Sequence, residues 1–463
     1  MKGRPILSDG ASRYRRILAD NPHLQAAVEQ SAVCGDDPLA QTCRYVLTPA
    51  LGGFVQWLLA QAVRHGHTRL YFLARDGYFP CQAARLFCQA LSLPVDCRYL
   101  SCSRYSLRLP LFHLKHGEAL DYVCRAGLHV TPDILLSRAG LLPAEREEVL
   151  GRLPLSYKKD DPIPSAALPG IRGALGRCPL FLTYLDRHSR KALPGLAGYL
   201  RQEGLFEKGA YALVDSGWAG SMQKTLRDAL THFGRTARLE GYYWGLYRLP
   251  GGVCPADYHC YFFGPEGRLK EKAFFNNNLF EAVFSAPHGM TLSYRQEGGR
   301  FLPCYGRSET AREEFLQTLG SLLLEGIRPM VRLAQETGLQ GADIERDRRT
   351  VARLLKEFMA APTRAQAELF GSLPFSDDVL DGGDQPLAPL LTDEELKRGH
   401  LLPKLLSIAG FPRRPVWESA WYPGSVARLG IRGKRHLRSY TRYQYLRHLN
   451  PLGRALAKRR EKA

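Results

Sequence analysis

Several common signatures are missing from this sequence, and each absence narrows what the chain can be. No C-x-x-C pair occurs among its 11 cysteines, an odd and scattered set, so they read as reduced thiols rather than a disulfide framework. No apolar run approaches the roughly 18 to 20 residues that span a bilayer, the best lying near 54–63. The opening MKGRPILSDGASRYRR has no apolar h-region, which argues against secretion and for a cytoplasmic protein. Neither G-x-x-x-x-G-K-[ST] nor G-x-G-x-x-G is present, which removes support for a P-loop or a dinucleotide fingerprint. No repeat of fixed period is visible, and no Cys/His/Asp set stands out for a nucleophilic thiol. His113-x-x-His116 has helical spacing that suits a metal, but no carboxylate or thiol partner for the pair is evident, and it reads as a solvated helix face.

What the chain does have is positive charge, unevenly placed. The net charge over 463 residues is +19, yet residues 411–463 carry 14 Lys/Arg against only Glu418 and Glu461, so about two thirds of the excess sits in the last 53 positions. The rest is close to ordinary, and its 45% hydrophobic and 10% aromatic content is globular, with material for two or three structural units.

The pattern along the chain predicts six segments. Residues 1–66 are helical, ending in LGGFVQWLLAQAVRHG. Residues 67–110 hold a strand (69–74), a loop, a helix (78–91) and a second strand (95–102). A helical insertion or cap spans 111–204, with a polar loop at 157–164. Residues 205–304 return to strand (210–214), loop (215–220), helix (221–233) and strand (239–247). Residues 305–410 are helical, with capping boxes at Thr310-x-x-Glu313 and Thr392-x-x-Glu395, and 411–463 form a basic, aromatic tail. Two strand–loop–helix–strand units around a helical insertion predict an α/β fold: a doubly wound, mostly parallel sheet with a helical C-terminal region.

In such a sheet, ligands sit at the carboxyl ends of the strands. Both candidate loops lie there. In Asp215-Ser216-Gly217-Trp218-Ala219-Gly220-Ser221, the glycines let the backbone approach a ligand, and Ser221 caps the helix or donates to a phosphate oxygen. Asp215 suits sugar hydroxyls or a magnesium ion, not a phosphate. In Arg75-Asp76-Gly77, the arginine and the bare amide suit an anion and the carboxylate a bridging metal. Helix-capping turns give the same patterns, so the argument rests on the pair. A third cluster, Phe274-Phe275-Asn276-Asn277-Asn278 with Glu281 and then His288-Gly289, offers amides and a carboxylate for sugar hydroxyls and a histidine base, or else an N-cap at Asn278 and a helix from Leu279.

RLYFLARDGYFPCQAARLFCQALSLPVDCRYLSCSRY resembles the first half of a type I phosphoribosyltransferase, and YALVDSGWAGSMQKTLRDAL is similar to that family's phosphoribosyl pyrophosphate loop. More closely, LARDG with VDSGWAGSMQ resembles the phosphoribosyltransferase-like module of bacterial polysaccharide ribofuranosyltransferases, often fused to a haloacid-dehalogenase-type phosphatase. The resemblance covers roughly 45–110 and 205–300. It implies transfer of 5-phosphoribose from phosphoribosyl pyrophosphate to a glycan acceptor, with Mg2+ as cofactor. It places Arg75, Asp76 and Gly77 on the pyrophosphate and its magnesium, Asp215 on the ribose hydroxyls, and Gly217, Gly220 and Ser221 on the 5-phosphate. Metal ligands would be Asp76 and Asp215. Arg104, just past the second strand, suits a further phosphate contact or, equally, a salt bridge. Two departures stand out: the family's adjacent acidic pair is reduced to Asp215 beside Ser216, and Trp218 occupies the loop. No D-x-D-x-[TV] motif is present, so a phosphatase step needs a separate protein. Lys158 and Lys159 are candidates to close over the diphosphate.

In the tail, Arg/Lys alternates with Trp417, Trp421, Tyr422, Tyr440, Tyr443 and Tyr445. That pattern suits an anionic membrane surface, hence a peripheral position on the inner face of the cell membrane and a lipid-linked glycan acceptor. A plain solvated helix is the second choice and nucleic acid the third. The competing reading of the whole chain is a non-catalytic sugar-phosphate or nucleic-acid binding module with a degenerate donor site.

Overall fold

The computed structural model describes residues 9–127, 130–154, 156–236, 238–339, 343–375, 385–408, 419–430 and 433–449. At its centre five parallel strands run in the order β2-β1-β3-β4-β5. They are β1 (Arg69–Leu73), β2 (Asp96–Leu100), β3 (Tyr211–Trp218), β4 (Glu240–Leu246) and β5 (Tyr258–Phe263). The α/β class and the parallel pairing expected from the two strand–loop–helix–strand units are both present. From β1 the chain builds outward to β2 on one side, then crosses back to start β3 on the other. The carboxyl ends of β1 and β3 therefore flank the crevice where the strand order reverses.

The strands are apolar on both sides because both sides are covered. Leu70, Phe72, Ala212, Val214, Tyr242 and Trp244 face one core, which includes α1 (Thr48–Arg64), α2 (Tyr78–Ala90), α5 (Asn277–Phe284), α6 (Thr310–Thr337) and α7 (Ile344–Ala360). Tyr71, Leu73, Tyr211 and Leu213, at the alternate positions, face a second core with the end of α3 (Pro179–Gln202) and α4 (Ser221–His232). The insertion has a third core of its own, from Tyr105 to Leu185. α3 belongs to two of these cores: Phe181 and Leu185 are buried in the insertion, Leu196, Tyr199 and Leu200 against the sheet.

Several expectations need correction. The segment 215–218 is strand rather than loop, because β4 runs on past Tyr243 and pairs Gly217 with Gly245 and Trp218 with Leu246. Strand β5 and the hairpin of β6 (Thr291–Glu297) and β7 (Arg300–Tyr305) were not anticipated. Glu309, not Thr310, is the N-cap residue of α6, with no side-chain cap, whereas the Thr392/Glu395 capping box is present. The apolar run is longer than it reads. Pro38–Arg64 is a continuous helical stretch of 27 residues, long and apolar enough to cross a membrane, and 78% of its most apolar window is buried inside the protein.

The tail is not separable either. Trp421 is fully buried with its indole N–H on the Met359 carbonyl at 2.8 Å, and the Tyr422 hydroxyl donates to Leu396 at 2.6 Å. Tyr440 stacks on Tyr422, and Tyr443 is buried on α8 (Lys434–Leu449). Tyr440 and Tyr443 thus face the protein, while Lys434, Arg435, Arg438, Arg442 and Arg447 are exposed. Trp417 and the basic positions 413, 414, 432 and 454–462 lie outside the described residues.

Candidate active site

After β1 the chain turns through Ala74, Arg75 and Asp76 before α2 begins at Tyr78. The Gly77 N–H closes the turn on the Leu73 carbonyl at 2.9 Å, and the Ala74–Arg75 peptide bond is cis. A Cβ on Gly77 would stand 2.6 Å from the Leu73 oxygen, a backbone atom that cannot retreat, so the turn requires glycine. This geometry sets Asp76 against β3, where the Ser216 hydroxyl donates to its Oδ2.

β3 ends under strain. Gly217 has φ +111°, and a Cβ there would meet the Gly245 carbonyl at 2.4 Å. Trp218 follows at φ +65°, a conformation costing a bulky residue on the order of 1 to 3 kcal/mol. The surroundings offset this: the indole packs 5.4 Å from Phe275 and 5.8 Å from Phe280, and its N–H donates to Glu281 on α5. Gly220, at φ +60°, is the N-cap residue of α4, and no side chain caps that helix, so Ser221 opens it as the first helical residue instead of capping it. The first-turn N–H groups of α4 therefore point, uncapped by any side chain, toward the crevice edge.

Three carboxyl groups converge from these elements: Asp76 from the turn, Asp215 from β3 and Glu281 from α5. Burial disfavours the charge on each, and for Asp215 and Glu281 neighbouring carboxylates add to it. Asp215 is pushed up to about 8, with Asp76 and then Glu281 opposing its ionisation. Glu281 is pushed up to about 7, by burial and then Asp76, while Trp218, Arg104 and Arg75 pull the other way. Asp76 is raised by burial against the pull of Ser216, Arg75, Arg104 and Arg312. Beneath Asp76 and Asp215 the crevice wall is apolar, made by Leu51, Phe54, Trp244, Phe280 and Phe284. The metal-ligating atoms that Asp76 and Asp215 offer here are all oxygens, in a poorly solvated place. Asp76 and Asp215 thus fit a hard divalent cation such as Mg2+.

Cations and a histidine complete the rim. Arg104 opens the short helix Arg104–Arg108 and is exposed, and Arg108 reaches α4 with a 3.4 Å bond to the Thr225 hydroxyl. Arg312, in the first turn of α6, donates to the Ser285 hydroxyl at 2.8 Å. His288 stacks on Tyr305 with centroids 4.2 Å apart. Its Nδ1 must carry a proton, because it donates to the Gly289 carbonyl at 2.8 Å, so the neutral ring accepts from the Tyr99 hydroxyl at Nε2, also at 2.8 Å. Burial, the Gly289 bond opposing it, and the nearby Arg75 and Arg312 charges leave His288 below its ordinary range, favouring that neutral form.

The structure thus brings together Arg75, Asp76, Gly77, Arg104, Asp215, Ser216, Gly217, Trp218, Gly220, Ser221, Glu281 and His288 at the carboxyl edge of the sheet. It spends Asn278 elsewhere. Asn276, not Asn278, is the N-cap residue of α5, and the amides of Asn276 and Asn278 both donate to the Ala420 carbonyl, at 2.8 and 3.3 Å, fastening the C-terminal segment. Lys159 is paired with Glu147 and Asp133 inside the insertion. His113 and His116 bond separately to Ser189 and Asp186 on α3, each at 2.7 Å. Tyr99, Tyr305 and Arg312 were missed. The alternating TLSYRQEGGRFLPCY, broken by Gly298-Gly299, is a hairpin signal that would have placed Tyr305. Arg312 has no local signal. A scan against protein-family models and a search of curated proteins found no match to this chain.

Proposed function

We propose that this chain is a glycosyltransferase of phosphoribosyltransferase type, with a doubly wound, type I-like core, transferring 5-phosphoribose from phosphoribosyl pyrophosphate to a glycan acceptor. One observation carries the reading: three oxygen acids, three arginines and an uncapped helix N-terminus meet where the strand order reverses. A donor with two phosphate groups and a hydroxylated ring between them matches that arrangement. Arg75 and the backbone of the 75–77 turn would hold the diphosphate, with Arg104 and Arg312 adding charge around it. The first turn of α4 and the Ser221 hydroxyl would hold the 5-phosphate, and Asp215 would accept from the ribose hydroxyls. Magnesium held by Asp76 and Asp215 would neutralise charge on the diphosphate when bound.

In the transfer, the bond from the anomeric carbon to the diphosphate oxygen breaks and the acceptor hydroxyl oxygen bonds to that carbon, releasing one proton. Glu281, balanced near neutrality by burial and by Asp76, is placed to take it. The apolar wall keeps water from competing as acceptor. The site contains no phosphatase nucleophile motif, so removal of the 5-phosphate belongs to a separate enzyme. The exposed cations of α8 suit an anionic acceptor surface, and we extend the proposal to a lipid-linked glycan presented at the inner face of a membrane. α8 reaches the site's edge, because His448 stacks on Tyr247, whose ring lies 6.1 Å from Trp218.

Calorimetry with phosphoribosyl pyrophosphate and Mg2+ tests donor binding, and pyrophosphate release with glycan acceptors tests transfer. Unchanged donor binding by Asp215→Ala overturns the assignment. The engagement of Ser216 and Trp218 with the site's own carboxylates favours a second reading, a donor-binding module without turnover. Donor binding with no pyrophosphate release across acceptors would select it.

A further inference from the structure

The opposite edge of the same sheet carries a different cluster. His65 is the C-cap residue of α1, Glu240 is the first residue of β4, and His259 is the second residue of β5. Their donor atoms all lie within 4.8 Å of one another. Glu240 Oε2 is 2.7 Å from His259 Nε2 and 3.4 Å from His65 Nδ1. Ligands bound to zinc at about 2.0 to 2.1 Å in a tetrahedron stand roughly 3.4 Å apart, so shifts of under about 1 Å at the side-chain ends would bring these three to ligand spacing. The neighbours are arranged to hold the set. Arg238 sits 3.5 Å from Oε1 of Glu240 and is itself held by Asp257 at 2.6 Å, which leaves Oε2 turned toward the imidazoles. Tyr242 stacks on His259 with centroids 5.0 Å apart, and its hydroxyl bridges His65 and His67 at 2.8 and 3.1 Å.

We propose that His65, Glu240 and His259 form a zinc site that staples α1 to the amino ends of β4 and β5. Two imidazole nitrogens and one carboxylate oxygen suit zinc and not magnesium, which demands six oxygens in an octahedron. Water takes the fourth position. Binding exchanges the Tyr242–His65 hydrogen bond for a metal bond, displaces any ring proton on the ligating nitrogens, and leaves the Tyr242 hydroxyl to His67. The Arg238 guanidinium opposes a second positive charge nearby, but it is tied to Asp257 and only Oε1 of Glu240 faces it. The ligands come from three separated stretches of chain, so zinc would restrain the end of the longest apolar helix directly against the sheet.

The test uses the full chain, stripped with a chelator and titrated with Zn2+ and separately with Co2+. The expected result is one tightly held equivalent of zinc, with the intense visible bands of four-coordinate Co2+. His259→Ala and Glu240→Gln are expected to lower zinc affinity on the order of 100-fold or more. His65→Asn, at the most exposed of the three side chains, provides a variant whose fold is verified by circular dichroism and which must show the same loss. Failure to bind an equivalent at micromolar zinc, an octahedral Co2+ spectrum, or full retention of the metal by folded His65→Asn each overturns the proposal. Because the readouts are metal content and cobalt spectra, they are independent of any glycosyl transfer.

Discussion

The two edges of the central sheet present opposite solutions to burying charge. At the carboxyl edge, burial raises the proton affinity of Asp76, Asp215 and Glu281, and Asp76 adds to the rise of the other two, with arginines nearby but hydroxyl and indole donors as the closest partners of Asp76 and Glu281. At the amino edge, Glu240 meets His65 and His259 directly and Arg238 behind them. One cluster gathers carboxyl oxygens with arginines around them; the other sets a single carboxylate between two imidazoles. On the two proposals above, the fold would separate a place for a polyanionic, hydroxylated donor from a place for zinc.

The largest expected effect breaks the first edge. Asp215→Asn is expected to lower pyrophosphate release by about 100-fold or more, read as kcat/KM with saturating Mg2+, while zinc uptake at the other edge is unchanged. The same variant sharpens the comparison through stability. The Asp215 carboxyl is raised from 3.8 to about 8 in the folded chain, so the native state binds the extra proton and wild-type stability falls as pH rises between those values. Removing the charge removes that slope. Asp215→Asn should melt roughly 2 to 4 °C above wild type at pH 8.5, and the difference should vanish below about pH 4. A constant offset across pH would show that Asp215 is not the titrating group.

Trp218→Phe keeps most of the ring packing but deletes the donor to Glu281. It is expected to cost about 1 kcal/mol in denaturant unfolding and to raise the Glu281 proton affinity further, moving the acidic limb of the pH–rate profile upward. The smallest effect concerns the outer surface. Arg442→Ala and Arg447→Ala should each weaken binding to anionic vesicles by about 1 kcal/mol, with the loss disappearing at high salt. No affinity for such vesicles in the wild-type chain would end the membrane part of the proposal.

Much of this arrangement was legible from local sequence. Short apolar runs ending in Arg75-Asp76-Gly77 and Asp215-Ser216-Gly217 announce parallel strands with functional turns, because the strand period and the glycines are local properties. What escaped depended on partners far along the chain. Residues 215–218 became strand only because β4 extends beside them, and the asparagine run serves Ala420, more than 140 positions away. The tail's aromatics read as one face of a free amphipathic segment, whereas Trp421, Tyr422 and Tyr443 fill interior space. Periodicity marks an apolar face without saying what covers it.

The helix α3 has a mechanical consequence for the whole molecule. Its first half is embedded in the insertion and its second half in the sheet, and Tyr199 near its end accepts the Ser101 N–H at 2.9 Å, just past β2. The insertion therefore cannot melt as an independent body without cutting this rod in two, near Pro194, where the ladder of backbone bonds already lacks a donor. Calorimetry should record the cap and the sheet as one cooperative transition, and a tilt of the cap would be felt at the strand end that borders the candidate site.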